Sequence, residues 1–265
     1  MKSEVLNLVC DPTTRDLLEI RSGSDARGRL QEYFVNPKTG QRFTIRNGIP
    51  IFLREGDVTG TNHRYQQMYD RYTPFYDFST WLYSYWKGMS VEARLREYID
   101  ELVVQGGDRV LEVSVGTGRN LQFLPRNAQF FGLDISWRML KQCQRNAAKW
   151  KLDATLFMGT AEQLPFRDEV FDSVFHFGGI NFFNDQASAI REMIRVAKSG
   201  TKFVIGDENE ALAQKYEKLP VTGGFYGNRK QPIMAPVDLL PPEMQEVQVK
   251  HIAGGDLYCL SFRKP

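Results

Sequence analysis

Cysteine is scarce in this chain. Its 265 residues hold three, Cys10, Cys143 and Cys259, far apart and odd in number. That excludes a disulfide framework and a cysteine-built metal cluster, and it points to a reducing, cytoplasmic compartment. Long apolar runs are missing as well. No stretch approaches the ~20 residues that a membrane helix needs, so no membrane insertion is expected. Glu4, Asn7 and Asp11 interrupt the start of the chain, which does not read as a signal peptide. Net charge is nearly absent: 34 basic against 32 acidic residues leave +2, too little to attract nucleic acid or a membrane surface. What remains, 42% hydrophobic and 25% charged residues, suits a globular protein with one sizeable core.

What the chain does have is Arg109-Val110-Leu111-Glu112-Val113-Ser114-Val115-Gly116-Thr117-Gly118. Val110, Leu111, Val113 and Val115 make a near-continuous apolar run, the pattern of a parallel strand covered on both faces. Gly116 and Gly118 permit a tight turn and a close approach of ligand to backbone. A second apolar strand, Gln129-Phe130-Phe131-Gly132-Leu133, ends in Asp134. In doubly wound folds an acid at that tip takes the two hydroxyls of a ribose. Loop and acid together predict an adenosine-containing cofactor. A dinucleotide loop needs a third glycine where this chain has Leu121, and Glu112 at the loop mouth repels phosphates. A cofactor with a cationic, amino-acid-like end fits better, and S-adenosylmethionine has one.

On these residues the chain resembles the class I S-adenosylmethionine-dependent methyltransferases, over roughly Tyr65 to Lys264. Within them it is most similar to the ubiquinone/menaquinone C-methyltransferase-like (type 11) group. The resemblance implies an α/β fold: a doubly wound, Rossmann-like sheet, mostly parallel with an antiparallel last strand, preceded here by a small β module. It implies S-adenosylmethionine as cofactor, methyl transfer as the activity and a small apolar or aromatic molecule as acceptor. Glu112, Gly116, Thr117 and Gly118 are the implied contacts of the methionine end, and Ser114 stands where the family loop usually begins with glycine. Asp134 and Ile135 follow at the tip of the second strand. Met158-Gly159-Thr160-Ala161-Glu162-Gln163-Leu164-Pro165-Phe166 resembles the family's adenine-binding segment, Gly-Asp-Ala-Glu-x-Leu-Pro-Phe, with Thr160 in place of the aspartate. Thr160, Ala161 and Glu162 are the contacts it offers. Tyr76-Asp77 matches the Tyr-Asp that opens the domain in the quinone methyltransferases, which adds Tyr76 to the cofactor contacts.

The fourth strand, Phe171 to Gly179, should end at the switch point where ligands bind in such sheets. That placement makes His176 a candidate to line the site, to touch the cofactor or to act as a base near neutral pH. Phe177-Gly178-Gly179-Ile180-Asn181 resembles the Phe-Gly-Leu-Arg-Asn run of the quinone enzymes, with Ile180 in the arginine's place. Asn181 is a candidate to orient a substrate oxygen. Asp207 and Glu208 stand at the exit of the fifth strand, and Asp207 is the candidate proton acceptor. No resident metal is expected.

The chain divides into residues 1–58, a module of short strands and turns; 59–104, an aromatic helical lid; and 105–265, the cofactor-binding domain. The first part resembles the zinc-ribbon modules that precede some methyltransferases. Its Cys-x-x-Cys positions hold Cys10 and Thr13, then Asn36 and Thr39, and one ligand of four cannot close a zinc site. A structural or substrate-side role is expected for it. Strands are predicted near 109–115, 129–134, 154–158, 171–177, 202–206, 246–252 and 257–263, with helices near 117–124, 137–150 and 186–197. Two further readings stay open. Certain ribosomal RNA guanine methyltransferases also carry a zinc ribbon before this domain. A cofactor-binding protein that does not methylate would keep the same loop.

Overall fold

The computed structural model describes residues 3–24, 28, 30–54, 56–86, 88, 90–218 and 232–265, and gives the backbone course alone at 3, 72, 74–81, 83, 84 and 86. After a helical turn, α1 (Ser3–Leu6), the chain makes four short strands: β1 (Glu19–Ser24), β2 (Leu30–Val35), β3 (Arg42–Arg46) and β4 (Ile49–Pro50). They pair antiparallel in sequence order. The turn between β3 and β4 is Asn47-Gly48, with φ of 50° and 77°. These are the left-handed pair that a two-residue hairpin needs to follow strand twist.

Two helices follow, α2 (Gly60–Trp86) and α3 (Val91–Ile99), the latter capped by the Ser90 side chain on the Ala93 N–H. The main sheet then forms from β5 (Arg109–Val113), β6 (Gln129–Asp134), β7 (Ala154–Met158), β8 (Ser173–Phe177), β9 (Lys202–Glu208), β10 (Gln245–Ile252) and β11 (Leu257–Arg263). Its order is β10-β11-β9-β8-β5-β6-β7. The five strands β5 to β9 are parallel, and β11 runs antiparallel to both neighbours. The chain lays β6 and β7 on one side of β5, then crosses to lay β8 and β9 on the other. The crevice above β5 and β8 is therefore the switch point of a doubly wound sheet. Helices α4 (Trp137–Trp150), α5 (Gln186–Val196) and α6 (Glu210–Glu217) start at Ser136, Asp185 and Asn209, whose side chains cap them. These are the residue types whose oxygen satisfies an orphan N–H at a helix start.

The helix expected near 117–124 is a short 3-10 segment, Arg119–Phe123. Gly118 enters it with φ 76° and Pro125 holds Leu124 extended, which leaves too few residues for an α-helix. The buried residues of the N-terminal strands pack on one another and run on into the core of the main sheet. Phe34, Phe43 and Phe52 belong to one buried cluster with Leu111, Leu133 and Phe157 of the main sheet and Phe166 of the segment after β7. Phe52 packs on Phe157 with ring centroids 6.4 Å apart, and its N–H donates to the carbonyl of Met158 at 2.8 Å. The module thus covers the β7 edge, which would otherwise offer unpaired backbone groups to another chain.

Candidate functional site

Glu112 sits on β5, one residue before the strand ends, and is 1% exposed. Its Oε1 accepts a hydrogen bond from Asn120 Nδ2, and Asn120 Oδ1 accepts one from the Tyr98 hydroxyl. Tyr98 on α3 is itself stacked on Phe177 at the end of β8. Oε2 of Glu112 is buried without a hydrogen-bond partner among the described residues. Burial raises the carboxyl well above its usual range, with Asn120 opposing the shift. The loop beyond β5 takes left-handed backbone at Ser114, Gly116 and Gly118, with φ of 61°, 54° and 76°. Ser114 bears this without glycine's freedom, at a cost of roughly 1–2 kcal/mol.

Asp134 closes β6. Its Oδ2 accepts the Gly116 N–H and its Oδ1 the Ser136 N–H, both at 2.8 Å. One lone-pair direction on each oxygen is left for a ligand. Burial pushes the carboxyl up to about 6, and the Ser136 and Gly116 hydrogen bonds restrain it. Glu112, Gly116, Thr117, Asp134 and Ile135 line one cavity with Thr160, Ala161 and Glu162, which follow β7. The cavity spans about 1030 Å³ including its open mouth. An added Cβ at Gly116, Gly178 or Gly179 would meet no protein atom within 4 Å.

The far wall is aromatic. Tyr65 and Tyr69 of α2 face Phe182 and Phe183, and Tyr65 stacks on Phe182 with centroids 4.0 Å apart. Burial raises the Tyr65 phenol above its ordinary range, so it stays protonated. Helix α2 is tied down at both edges of the cavity. Asn62 Nδ2 donates to Glu162 Oε1 at 2.9 Å, Asn184 N donates to the same oxygen at 3.1 Å, and Ser136 Oγ donates to Asp70 at 2.6 Å. Tyr76 lies within α2, but its side chain is outside the described residues.

The sequence reading places four further residues in the site, and the structure places them behind it. Gly118 does not line the cavity: its Cα packs against Cys143, whose Sγ would lie 2.5 Å from an added Cβ. His176 is 0% exposed and also absent from the lining. Its Nδ1 is 2.9 Å from the Val113 carbonyl, which can only accept, so Nδ1 carries the proton. Burial lowers its pKa, and the ring is a neutral packing group against Phe183. Asp207 is 1% exposed, with Oδ2 taking the N–H groups of Gly179 and Asn181 at 3.1 and 3.0 Å. Asn181 Nδ2 donates in turn to the Glu208 carbonyl at 3.1 Å. Asp207 and Asn181 therefore hold the loop that presents Gly178, Gly179, Phe182 and Phe183 to the cavity.

Asn120, Asn62 and Asn184 were not singled out from sequence. Their partners lie 8, 100 and 22 residues away, and no local spacing announces them.

In the N-terminal module, the zinc-ribbon positions carry a polar clasp. Asp11 Oδ1 accepts the N–H groups of Thr13 and Thr14, and Asn36 Oδ1 accepts those of Lys38 and Thr39. Asn36 Nδ2 donates to Asp11 Oδ2 at 2.9 Å, joining the two turns. Cys10 donates to the Phe166 carbonyl instead of facing the second turn. Among the described residues there is no cluster of three or more metal-ligating side chains.

Residues 111–205 match the family model described as a methyltransferase domain. Demethylmenaquinone methyltransferase of Renibacterium salmoninarum is 32% identical over 53% of this chain and 56% of that protein. The ubiquinone/menaquinone biosynthesis C-methyltransferase UbiE of Geotalea uraniireducens is 27% identical over 64% of this chain and 77% of its own. The chain thus spans between about half and three-quarters of these relatives. A solved S-adenosylmethionine-dependent methyltransferase from Thermotoga maritima, 24% identical, superposes with a TM-score of 0.56 over 75% of this chain and 99% of the other. The unpartnered Glu112 oxygen, the buried Asp134 carboxyl at the tip of β6 and the open glycines are compatible with S-adenosylmethionine. Residues 111–205, which carry much of the cavity, are thus similar to a methyltransferase domain, and the fold is that of the solved methyltransferase.

Proposed function

We propose that the protein transfers the methyl group of S-adenosylmethionine to a small, mostly apolar or aromatic acceptor. The observation that carries this reading is the aromatic wall, Tyr65, Tyr69, Phe182 and Phe183, on the same cavity as Glu112 and Asp134. Mostly apolar lining with a few fixed polar groups is how small-molecule sites are built. Curated relatives named for quinone methylation support an acceptor of this kind.

The sulfonium supplies an activated methyl group, so the chain's task is alignment and exclusion of water. Glu112 would take the ammonium group and Asp134 the ribose hydroxyls. Segment 159–162 would take the adenine. Tyr65 and Phe182 would hold the acceptor's flat face by stacking. Asp207 acts one step removed, fixing the 178–183 loop through two backbone N–H groups. No proton step is assigned to His176, whose ring is buried away from the cavity.

The test is turnover with a panel of phenols, quinols and aromatic amines, using radiolabelled cofactor. Tyr65→Ala should lower kcat/KM for the acceptor tenfold or more, while S-adenosylhomocysteine affinity changes little. Methyl incorporation into RNA, with none into the panel, would replace this reading.

A further inference from the structure

The segment Met158–Phe166 is held at both ends by the N-terminal module. At its start, Ile51 bridges Met158 in parallel fashion and the Phe52 N–H donates to the Met158 carbonyl at 2.8 Å. At its end, Val9 bridges Phe166, the Cys10 N–H donates to the Pro165 carbonyl at 3.0 Å, and Cys10 Sγ donates to the Phe166 carbonyl at 3.1 Å. Between these anchors, residues 159–162 line the cavity. The turn into the second anchor is Leu164, whose two backbone groups are both spoken for. Its N–H donates to Glu192 Oε2 at 2.9 Å, and its carbonyl accepts from Arg15 Nη1 at 2.9 Å and Arg195 Nη2 at 3.1 Å. Arg15 also pairs with Glu192 at 2.7 Å.

Arg15 comes from the first clasped turn of the module. It has φ 63°, left-handed backbone that a non-glycine residue adopts at a cost, and its N–H donates to the Asp11 carbonyl at 2.9 Å. The Asp11–Asn36 clasp over-determines that turn and so aims the Arg15 guanidinium across the module boundary. A cap that only covered the β7 edge would need strand pairing and apolar contact. It would not need a strained turn whose side chain grips the carbonyl of a cavity loop.

We propose that Arg15 is a positioning residue for the adenine-side loop, so that the N-terminal module and cofactor occupancy are energetically coupled. The proposal rests on the cofactor reading above. Coupling is reciprocal: if the module sets the loop's affinity, ligand in the cavity must stabilise the module. The direction is away from the acceptor. The module meets the cavity through the β7 end, on the opposite side of β5 from the 178–183 loop.

Two measurements test it. Hydrogen exchange of the wild-type chain, with and without S-adenosylhomocysteine, should show slower exchange at 9–16 and 36–40 when the ligand is present. Calorimetry should show Arg15→Met weakening S-adenosylhomocysteine by about 5- to 150-fold, the usual span of coupling factors. Arg15→Lys should recover part of the loss, and Arg21→Met, an exposed residue on β1 of the same module, should bind as wild type. Exchange at 9–16 unchanged by ligand, or Arg15→Met binding within about twofold of wild type, overturns the coupling and leaves the module an edge cap. A wild-type chain that fails to bind S-adenosylhomocysteine overturns the cofactor reading, and the coupling with it. The exchange experiment needs no variant, so it stands even if Arg15→Met unfolds.

Discussion

Asn120 donates its side-chain amide to one oxygen of Glu112, and the other oxygen has no hydrogen-bond partner among the described residues. A buried carboxyl group with one oxygen unmet is costly unless a ligand completes it. In the proposed reading, its place at the mouth of a loop too short of glycine for a pyrophosphate matches an ammonium group.

Glu112 should therefore couple cofactor binding to a proton. Burial pushes the empty carboxyl up and an ammonium ligand pulls it back down, so binding should release protons from Glu112. Titration calorimetry of S-adenosylhomocysteine in two buffers of different ionisation heat should show it. Glu112→Gln should abolish the buffer dependence and cost about 1.5–3 kcal/mol of affinity. Buffer-independent binding heats in the wild type would contradict this assignment.

Asp134 should make stability and affinity run in opposite directions with pH. Its folded carboxyl lies at about 6 against 3.8 for the ordinary group, so the native state holds more protons between those values. Stability is then lost as pH rises through the window, by up to about 3 kcal/mol. Affinity rises over the same range, because the ionised group is the better acceptor for ribose hydroxyls. His176 opposes the stability trend: neutral by burial, it loses its contribution as pH falls below about 6.5. The measurement is thus a comparison. Between pH 4.5 and 7, the melting temperature of Asp134→Ala relative to wild type should increase with pH, and its S-adenosylhomocysteine affinity should be weaker and flatter.

Gly118 and Cys143 should show a strong interaction in a double-mutant cycle. Gly118→Ala adds a methyl group 2.5 Å from Cys143 Sγ at a backbone φ of 76°. It should cost about 2–4 kcal/mol, from overpacking plus left-handed strain. Cys143→Ala removes the clashing sulfur and should return part of that, leaving the backbone share. Additive losses in urea denaturation would mean that the two do not meet.

Asn36 should carry the clasp of the N-terminal module. Asn36→Ala strands two backbone N–H groups and part of the Asp11 carboxylate in a site where Asn36 is 0% exposed. A loss of about 1–3 kcal/mol is expected, chiefly from the Asp11 oxygen left unmet in the buried part of the clasp. Elemental analysis should find no stoichiometric zinc in the wild-type protein, and one zinc per chain would mean that the clasp is not what joins the two turns.

Much of the cavity's lining from β5, β6 and β7 was legible in the residues themselves. An apolar run, a two-glycine loop, an acid at the next strand tip and the Thr160-Ala161-Glu162 run are local patterns, each enforced by backbone geometry within a few residues. Strands β6, β7 and β11 and helix α4 fall where periodicity places them, because the hydrophobic repeat of an element is written in its own sequence. The Asn47-Gly48 hairpin follows in the same way from its turn chemistry.

What only tertiary structure decided is which polar side chains face the cavity. His176, Asn181 and Asp207 lie at the tips where ligands bind, and sequence position alone cannot say whether a tip residue points into the crevice or beneath its loop. The register of β8 against β5 and β9 turned His176 to Val113, and the 178–183 loop folded over Asp207 to use its carboxylate for two N–H groups. Asn120 behind Glu112, and Asn62 and Asn184 on Glu162, answer to no motif, since their partners are 8, 100 and 22 residues away. The N-terminal module read as a separate unit whose apolar residues pack on the main domain or form a small core; its aromatics pack on one another and on Phe157 of β7, a contact that no pattern within 1–58 announces. Local pattern determined the elements and the cofactor loop; the pairing of distant surfaces determined the site's far wall and what holds it in place.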